Sequence, residues 1–361
     1  MKKHLLLAAI GSATIFAGCT TMPTGGLDVA NNDPAKYIAQ PLTDEIYTAD
    51  PSAHVWNDGR VYIYASHDIE SGVPEDDLGS HFDMRDYRVL SMDRPGGPVT
   101  VHGVALDKTD VPWVGRQMWA PDAAYKDGTY YLYFPAKDKQ DIFRLGVATS
   151  KSPVGPFTPQ PIPIAGSYSM DPNVFKDTDG THYMYFGGIW GGQLQNWQNG
   201  RWEKDIGVTD LQDDDAPAIK PRIAKMRGDL LEFAETPRSI DILDENGRPI
   251  LGGDHDRRFF EGAWVFKRGG TYYLTYSTGD THYLVYATGD NPYGPFTYKG
   301  RILEPVEGWT SHHSITQVDG QWYLFYHDTQ LSGQTHLRNV KMTSLEFRAD
   351  GSIVTINPMT M

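Results

Sequence analysis

Three carboxylic acids stand at the same place in a recurring stretch of this chain. Asp50, Asp171 and Glu261 each open a run that reaches a Gly nine residues later and a Tyr three residues after that. The glycines are Gly59, Gly180 and Gly270, and the tyrosines are Tyr62, Tyr183 and Tyr273. Two further stretches keep the spacing without the acid: Trp119 with Gly128 and Tyr131, and Ser311 with Gly320 and Tyr323. Carboxyl groups gathered from separate stretches suit the hydrolysis of a glycosidic acetal. That reaction needs one acid to protonate the leaving oxygen and a second carboxylate as base or nucleophile. A third carboxylate nearby raises the acid's pKa by like-charge repulsion, so that it keeps its proton near neutral pH. Three acids buried together without such a task would carry an uncompensated desolvation cost.

Such a gathering requires elements that return to one axis. Each stretch reads as a hairpin, in which an apolar or aromatic run meets a turn such as Asp127-Gly128 or Gly269-Gly270 and is answered by an aromatic strand such as Tyr130-Tyr-Leu-Tyr133. Asp-Gly between such runs is a strong hairpin signal, because the tight turn needs positive φ. The repeat glycines lie 50 to 90 residues apart, the length of a four-stranded propeller blade. A second repeat agrees: Ala148-Thr-Ser-Lys-Ser-Pro-Val-Gly-Pro-Phe157 matches Ala287-Thr-Gly-Asp-Asn-Pro-Tyr-Gly-Pro-Phe296, as turns leading to outer strands would. No sustained 3.6-residue apolar period supports a helical solenoid. The expected fold is therefore an all-β, five-bladed β-propeller forming a single domain over residues 36–361. The innermost strands would bring Asp50, Asp171 and Glu261 to one end of the axis.

Asp50-Pro51, Trp119-Ala-Pro-Asp122, Met170-Asp-Pro-Asn173 and Phe260-Glu-Gly262, in that order, resemble the motifs of glycoside hydrolase family 43, the five-bladed arabinofuranosidases, xylosidases and arabinanases. The resemblance runs from about residue 36 to the end of the chain. It implies an inverting mechanism, with Asp50 as the general base that activates water, Glu261 as the general acid, and Asp171 tuning and orienting that acid. Trp119 resembles a family platform for a sugar ring, and Arg338 resembles an arginine that contacts sugar hydroxyls. His312, with His313 as second choice, resembles the histidine that binds a calcium ion or organises its water shell. Asp83, Arg85 and Asp86 form a charged cluster expected to shape the rim, whereas Asp213-Asp-Asp215 reads as a solvated loop.

Composition narrows the partners. The 361 residues are 40% hydrophobic and 12% aromatic, with a net charge of −14. So acidic a chain does not suit nucleic acid, which calls for a basic face, whereas aromatics with carboxylates suit a neutral polyol. There is no Gly-x-Ser-x-Gly elbow, no His-Glu-x-x-His and no phosphate loop. At the N-terminus, Lys2 and Lys3 precede a short apolar run, Leu5 to Ala17, that ends in Phe-Ala-Gly-Cys19. This is an export signal, too short to span a membrane, and its end resembles a bacterial lipoprotein signal. Residues 1–19 would then be the signal, Cys19 the lipidated residue, and residues 20–35 a flexible tether. Cys19 is the sole cysteine, so it has no internal disulfide partner, and by the same resemblance Thr20 after it, in place of Asp, implies the outer membrane.

Together these readings give an exported, lipid-anchored exo-glycosidase that releases xylose or arabinose from hemicellulose-derived oligosaccharides. The exo assignment rests on loop 68–87 and on residues 193–258, read as an insertion that closes a groove into a pocket. The chain leaves no room for the extra β-sandwich domain of many family xylosidases, which favours arabinofuranosidase or mixed activity. The alternatives are an endo-arabinanase or exo-galactosidase of the same family, and a non-catalytic glycan-binding lipoprotein. The sequence leaves the oligomeric state open.

Overall fold

The computed structural model describes residue 27, residues 33–204, residue 206 and residues 213–360. The signal sequence, Cys19 and most of the tether lie outside the described residues. Among those described, five sheets, antiparallel but for one short edge strand, follow one another along the chain as the blades of a propeller. The innermost strands are Thr48–Val55 in blade one, Asn173–Lys176 in blade three, Glu261–Arg268 in blade four and His313–Val318 in blade five. Blade two divides its innermost strand into Val114–Met118 and Asp122–Lys126, both paired with Thr129–Asp138.

The repeat glycines sit in the turns between first and second strands. In blades two, four and five the turn has two residues, Asp127-Gly128, Gly269-Gly270 and Asp319-Gly320, and every one of these six has positive φ. That is the twist-matched hairpin turn that the Asp-Gly signal predicts. The second repeat also holds, since Phe157 and Phe296 are buried where the chain enters Thr158–Pro159 and Phe296–Leu303, the outer strands of blades two and four.

Because successive side chains of a strand face opposite ways, each blade packs against both neighbours. In the strand Val61–His67, Tyr62 and Tyr64 join the apolar cluster shared with blade two, while Val61 and Ile63 join the one shared with blade five. Five buried clusters of this kind fill the five interfaces between blades.

Near the axis, polar side chains take over. Ser52 and His54 of blade one meet Asp122 of blade two, and Asp122 in turn accepts from the Asn173 side chain and the Val174 backbone N–H of blade three. Asn173 accepts from the Val265 N–H of blade four at 2.8 Å. The Trp264 indole of blade four donates to the Ile315 carbonyl of blade five at 2.9 Å, and Ser314 of blade five accepts from the Ala53 N–H of blade one at 3.0 Å. The innermost strands diverge too far to pair as a sheet, so side chains satisfy the edge N–H groups that would otherwise be buried without partners. The ring is completed at its rim by the N-terminal segment, which runs along the outer strand of blade five through Pro41 opposite Lys341 and Leu42 N–H to the Val340 carbonyl.

Residues 193–258 prove to be only partly an insertion. They supply the outer strands of blade three, Arg222–Lys225 and Arg238–Ser239, and a short parallel strand, Ile242–Leu243, at the edge of blade four. The long stretch of sequence 187–221, which carries no alternating pattern, hid these strands from a reading by spacing.

Candidate active site

Asp50, Trp119, Asp171, Glu261, His312 and Arg338 all line one pocket at the start of the innermost strands, which encloses about 870 Å³ of space open to solvent. Every repeat position falls where the innermost strand breaks its pairing. The ladder skips from Ala49 to Ser52 in blade one and from Glu261 to Trp264 in blade four. Trp119 lies between the two halves of the blade-two strand, and Asp171 and Ser311 lie just before the strands of blades three and five begin. Bulges of this kind bend a strand and re-aim its side chains. Asp50 (φ 53°) and Asp171 (φ 55°) are in the left-handed region, and at Glu261 the next residue, Gly262 (φ 67°), takes that conformation instead. An acid held there costs roughly 1–3 kcal/mol and persists where the surroundings enforce it, commonly at functional sites.

The surroundings of Asp50 keep it ionised. Burial works to raise its pKa, but the Arg338 guanidinium, with Ser66 donating to Oδ2 at 2.8 Å, outweighs it and holds the carboxyl at about 2. Arg338 reaches Asp50 Oδ1 at 2.8 Å and Oδ2 at 3.3 Å. His327 also approaches, yet it is no cation. Its Nδ1 accepts the Asp50 backbone N–H at 3.0 Å, so the other nitrogen carries the proton and faces Thr310. Burial, reinforced by Arg338, lowers its pKa to about 3.

Glu261 is the opposite case. It is partly exposed to the pocket, and no side chain among the described residues hydrogen-bonds its carboxyl. Burial, then repulsion from Asp50, pushes it up to about 8. Asp171 is raised as well, by burial and then by the charges of Glu261 and Asp50. Asp171 alone of the two accepts a backbone N–H, from Gly262 at 2.9 Å, which favours its charged form. Both acids are therefore pushed toward their protonated forms, and the Gly262 N–H, by favouring charge on Asp171, leaves Glu261 the better placed of the two to donate a proton.

Trp119 forms part of the wall. Its indole N–H donates to the Phe82 carbonyl at 2.7 Å and its ring lies against Phe143 at 4.7 Å, which fixes the orientation of the exposed face. His312 presents two ring nitrogens that are buried and without hydrogen-bond partners, with Nε2 at 3.8 Å from Asp171 Oδ2. This orphaned imidazole fits a single protein ligand to an otherwise hydrated divalent cation, although no three acid, His or Cys side chains form a metal cluster among the described residues. His313 is bonded to Thr275 at 2.6 Å and lies outside the pocket lining. Arg338, expected to contact sugar hydroxyls, lines the pocket and is held there by protein partners. Each of its guanidinium N–H groups has a partner in Asp50, Asp68 or Thr310.

Asp83, Arg85 and Asp86 pair locally and with His67 and Arg88, and do not reach the pocket. The wall on this side comes from the preceding part of the same loop, where Leu78 and Phe82 line the pocket and the Phe82 ring stacks on Trp309 at 5.9 Å. Asp213, Asp214 and Asp215 are exposed, as expected. Sequence spacing missed Asp68, His282, Trp309 and His327, since none occupies the repeat position. For His327, the one available signal was a His-Asp pair closing a strand rich in aromatics, Gln321–Asp328.

Three acids on three blades, one held ionised and two pushed toward their protonated forms, form a site for acid–base hydrolysis. The sequence profile of glycosyl hydrolases family 43 matches residues 41–353. The chain belongs to this family. Family 43 relatives include xylosidase/arabinosidase 43A of Humicola insolens, 58% identical over 325 residues that cover 88% of this chain and 99% of that protein. A xylosidase/arabinosidase of Bacteroides ovatus is 55% identical, covering 86% and 95%. Among solved family 43 structures, a β-xylosidase/α-arabinofuranosidase from a compost microbial metagenome, in complex with xylotriose and calcium-free, superposes with a TM-score of 0.88 at 67% identity, covering 90% of this chain and 98% of that one. The architecture and the assignment as a glycoside hydrolase thus stand together.

Proposed function

We propose that this protein is an inverting exo-glycosidase that releases xylose and arabinose from β-1,4-xylosides and α-L-arabinofuranosides. The observation that carries the reading is the contrast between two pocket carboxyls. Asp50 is gripped by the Arg338 guanidinium at 2.8 Å, whereas the Glu261 carboxyl has no hydrogen-bond partner among the described residues. This favours charge on the first and a proton on the second. Asp50 takes a proton from a water on one face of the sugar, Glu261 gives its proton to the leaving oxygen on the other, and the anomeric centre inverts. Asp171 repels a second negative charge and so keeps Glu261 protonated. The ring of the bound sugar lies on the face of Trp119. Relatives at 58% and 55% identity named for both sugars, and a neighbour complexed with xylotriose, support this choice of substrates. The wall formed by Leu78, Phe82 and Trp309 supports the exo mode.

His312 would hold a calcium ion through a ring nitrogen, with water filling the remaining positions. The bound ion supplies positive potential beside the carboxylates. Export and lipidation at Cys19 remain part of the proposal, on the strength of the basic start, the apolar run and the Phe-Ala-Gly-Cys ending.

The test is hydrolysis of aryl β-xyloside, aryl α-L-arabinofuranoside and debranched arabinan by the purified protein, before and after chelation. The anomer first released is read by proton NMR. Turnover of the aryl glycosides with inversion, and of the polymer hardly at all, is the expected result. Retention of configuration refutes the mechanism, and rapid depolymerisation of arabinan refutes the exo mode. A rate and melting temperature unmoved by chelation refute the calcium site.

A further inference from the structure

Asp68 follows the second strand of blade one, Val61–His67, and belongs to no position of the repeat. Its side chain is fully enclosed and does not line the pocket. It nonetheless receives more of Arg338 than Asp50 does. Oδ2 accepts Arg338 Nε–H at 2.8 Å and the Arg338 backbone N–H at 2.8 Å, and Oδ1 accepts from Nη2 at 2.9 Å. The Phe82 ring covers the guanidinium at 4.7 Å. Burial pulls the Asp68 carboxyl upward, but with donors on both oxygens it has no acceptor for a proton of its own, and it stays ionised beside Arg338.

This arrangement has two effects. A guanidinium gripped along one edge by a carboxylate and covered by an aromatic ring cannot rotate, so its other edge meets Asp50 in one pose. Its single positive charge is also divided between two carboxylates. Facing Asp50 alone, it would neutralise that acid almost fully and make it a poorer acceptor for the proton of water.

We propose that Asp68 is a positioning residue for the reaction, holding and sharing Arg338 so that Asp50 is fixed, ionised and still basic. The proposal rests on the reading of Asp50 as the general base. It is tested with Asp68→Asn, Asp68→Glu and Asp50→Asn, measuring kcat and KM on aryl β-xyloside, the melting temperature and the affinity for xylose.

Asp68→Asn is expected to lower kcat roughly 10–100-fold, the usual effect of removing a supporting hydrogen-bond partner. KM and xylose affinity should stay within about threefold, because only the transition state uses the base. Asp68→Glu, which keeps the charge, should recover part of the loss. A wild-type kcat in Asp68→Asn with only a lower melting temperature overturns the proposal, as does a loss confined to KM. Where Asp68→Asn does not fold, Asp68→Glu alone decides, because it keeps the charge but shifts the carboxylate that grips Arg338. A lowered kcat with KM and xylose affinity within about threefold upholds the proposal, and wild-type kcat overturns it. Substantial turnover by Asp50→Asn overturns instead the reading of Asp50 as base, whatever Asp68 does.

Discussion

Replacing Glu261 by Gln should abolish catalysis and stabilise the fold, and the size of the second effect follows from its surroundings. The carboxyl that titrates at 4.5 in water does so at about 8 in the folded protein. Between those values the unfolded chain has released a proton that the native state still holds, so native stability falls as pH rises through this window. A neutral isostere escapes that decline. The linkage relation puts the advantage of Glu261→Gln at about 1 kcal/mol at pH 5 and about 3 kcal/mol at pH 7, as an upper figure because water enters the pocket. For a domain of this size that corresponds to a melting temperature higher by a few degrees at pH 7. The assay is thermal unfolding of both proteins from pH 5 to 8, with kcat for an aryl xyloside measured alongside. The two melting curves should separate as pH rises, while kcat falls roughly 10²–10⁴-fold, as when a general acid is lost. A difference that does not change with pH, or a variant that melts lower throughout, would refute the claim that burial and like charge keep this acid protonated.

Three other outcomes follow from the same site. The rate should decline above about pH 8 as Glu261 ionises, yet show no fall attributable to Asp50 between pH 4 and 7, since that acid titrates at about 2; initial rates across pH check both limbs. Trp119→Ala should raise KM about tenfold, from the loss of roughly 1–1.5 kcal/mol of stacking, with kcat changed less; steady-state kinetics decide it. Asp122→Ala strips partners from Ser52, His54, Asn173 and the Val174 N–H at once. It should cost about 3 kcal/mol or more, as buried polar groups lose their bonds, and be read as a lower midpoint in urea.

The propeller was legible because its turns are chemically demanding. Asp127-Gly128 and Asp319-Gly320 take positive φ at both positions, and few residue pairs tolerate that, so the spacing of these pairs marks the blades directly. The acids were legible for a related reason: each sits where its innermost strand breaks or has yet to begin its pairing, a fixed distance before the turn. Blade three resisted because its outer strands are only four and two residues long and lie beyond a loop without periodicity. The partners of Arg338 were invisible because Asp68 and Asp50 lie 270 and 288 residues away from it. No local pattern distinguishes an arginine bonded to two buried carboxylates from one that contacts a sugar.

The side chains that link the innermost strands around the axis set how this enzyme must fail. In a linear array of repeats, a terminal unit can melt while the others persist, since each touches only its neighbours. Here every blade is an inner member of a closed circuit, and the three acids are drawn from three of them. Loosening any interface releases strain into the next and moves an acid off the pocket, so no partly unfolded form retains an intact site. Heat inactivation and the loss of β structure should therefore share one midpoint and one sharp transition. Excising any single blade should leave not a weaker enzyme but an open, unclosed chain.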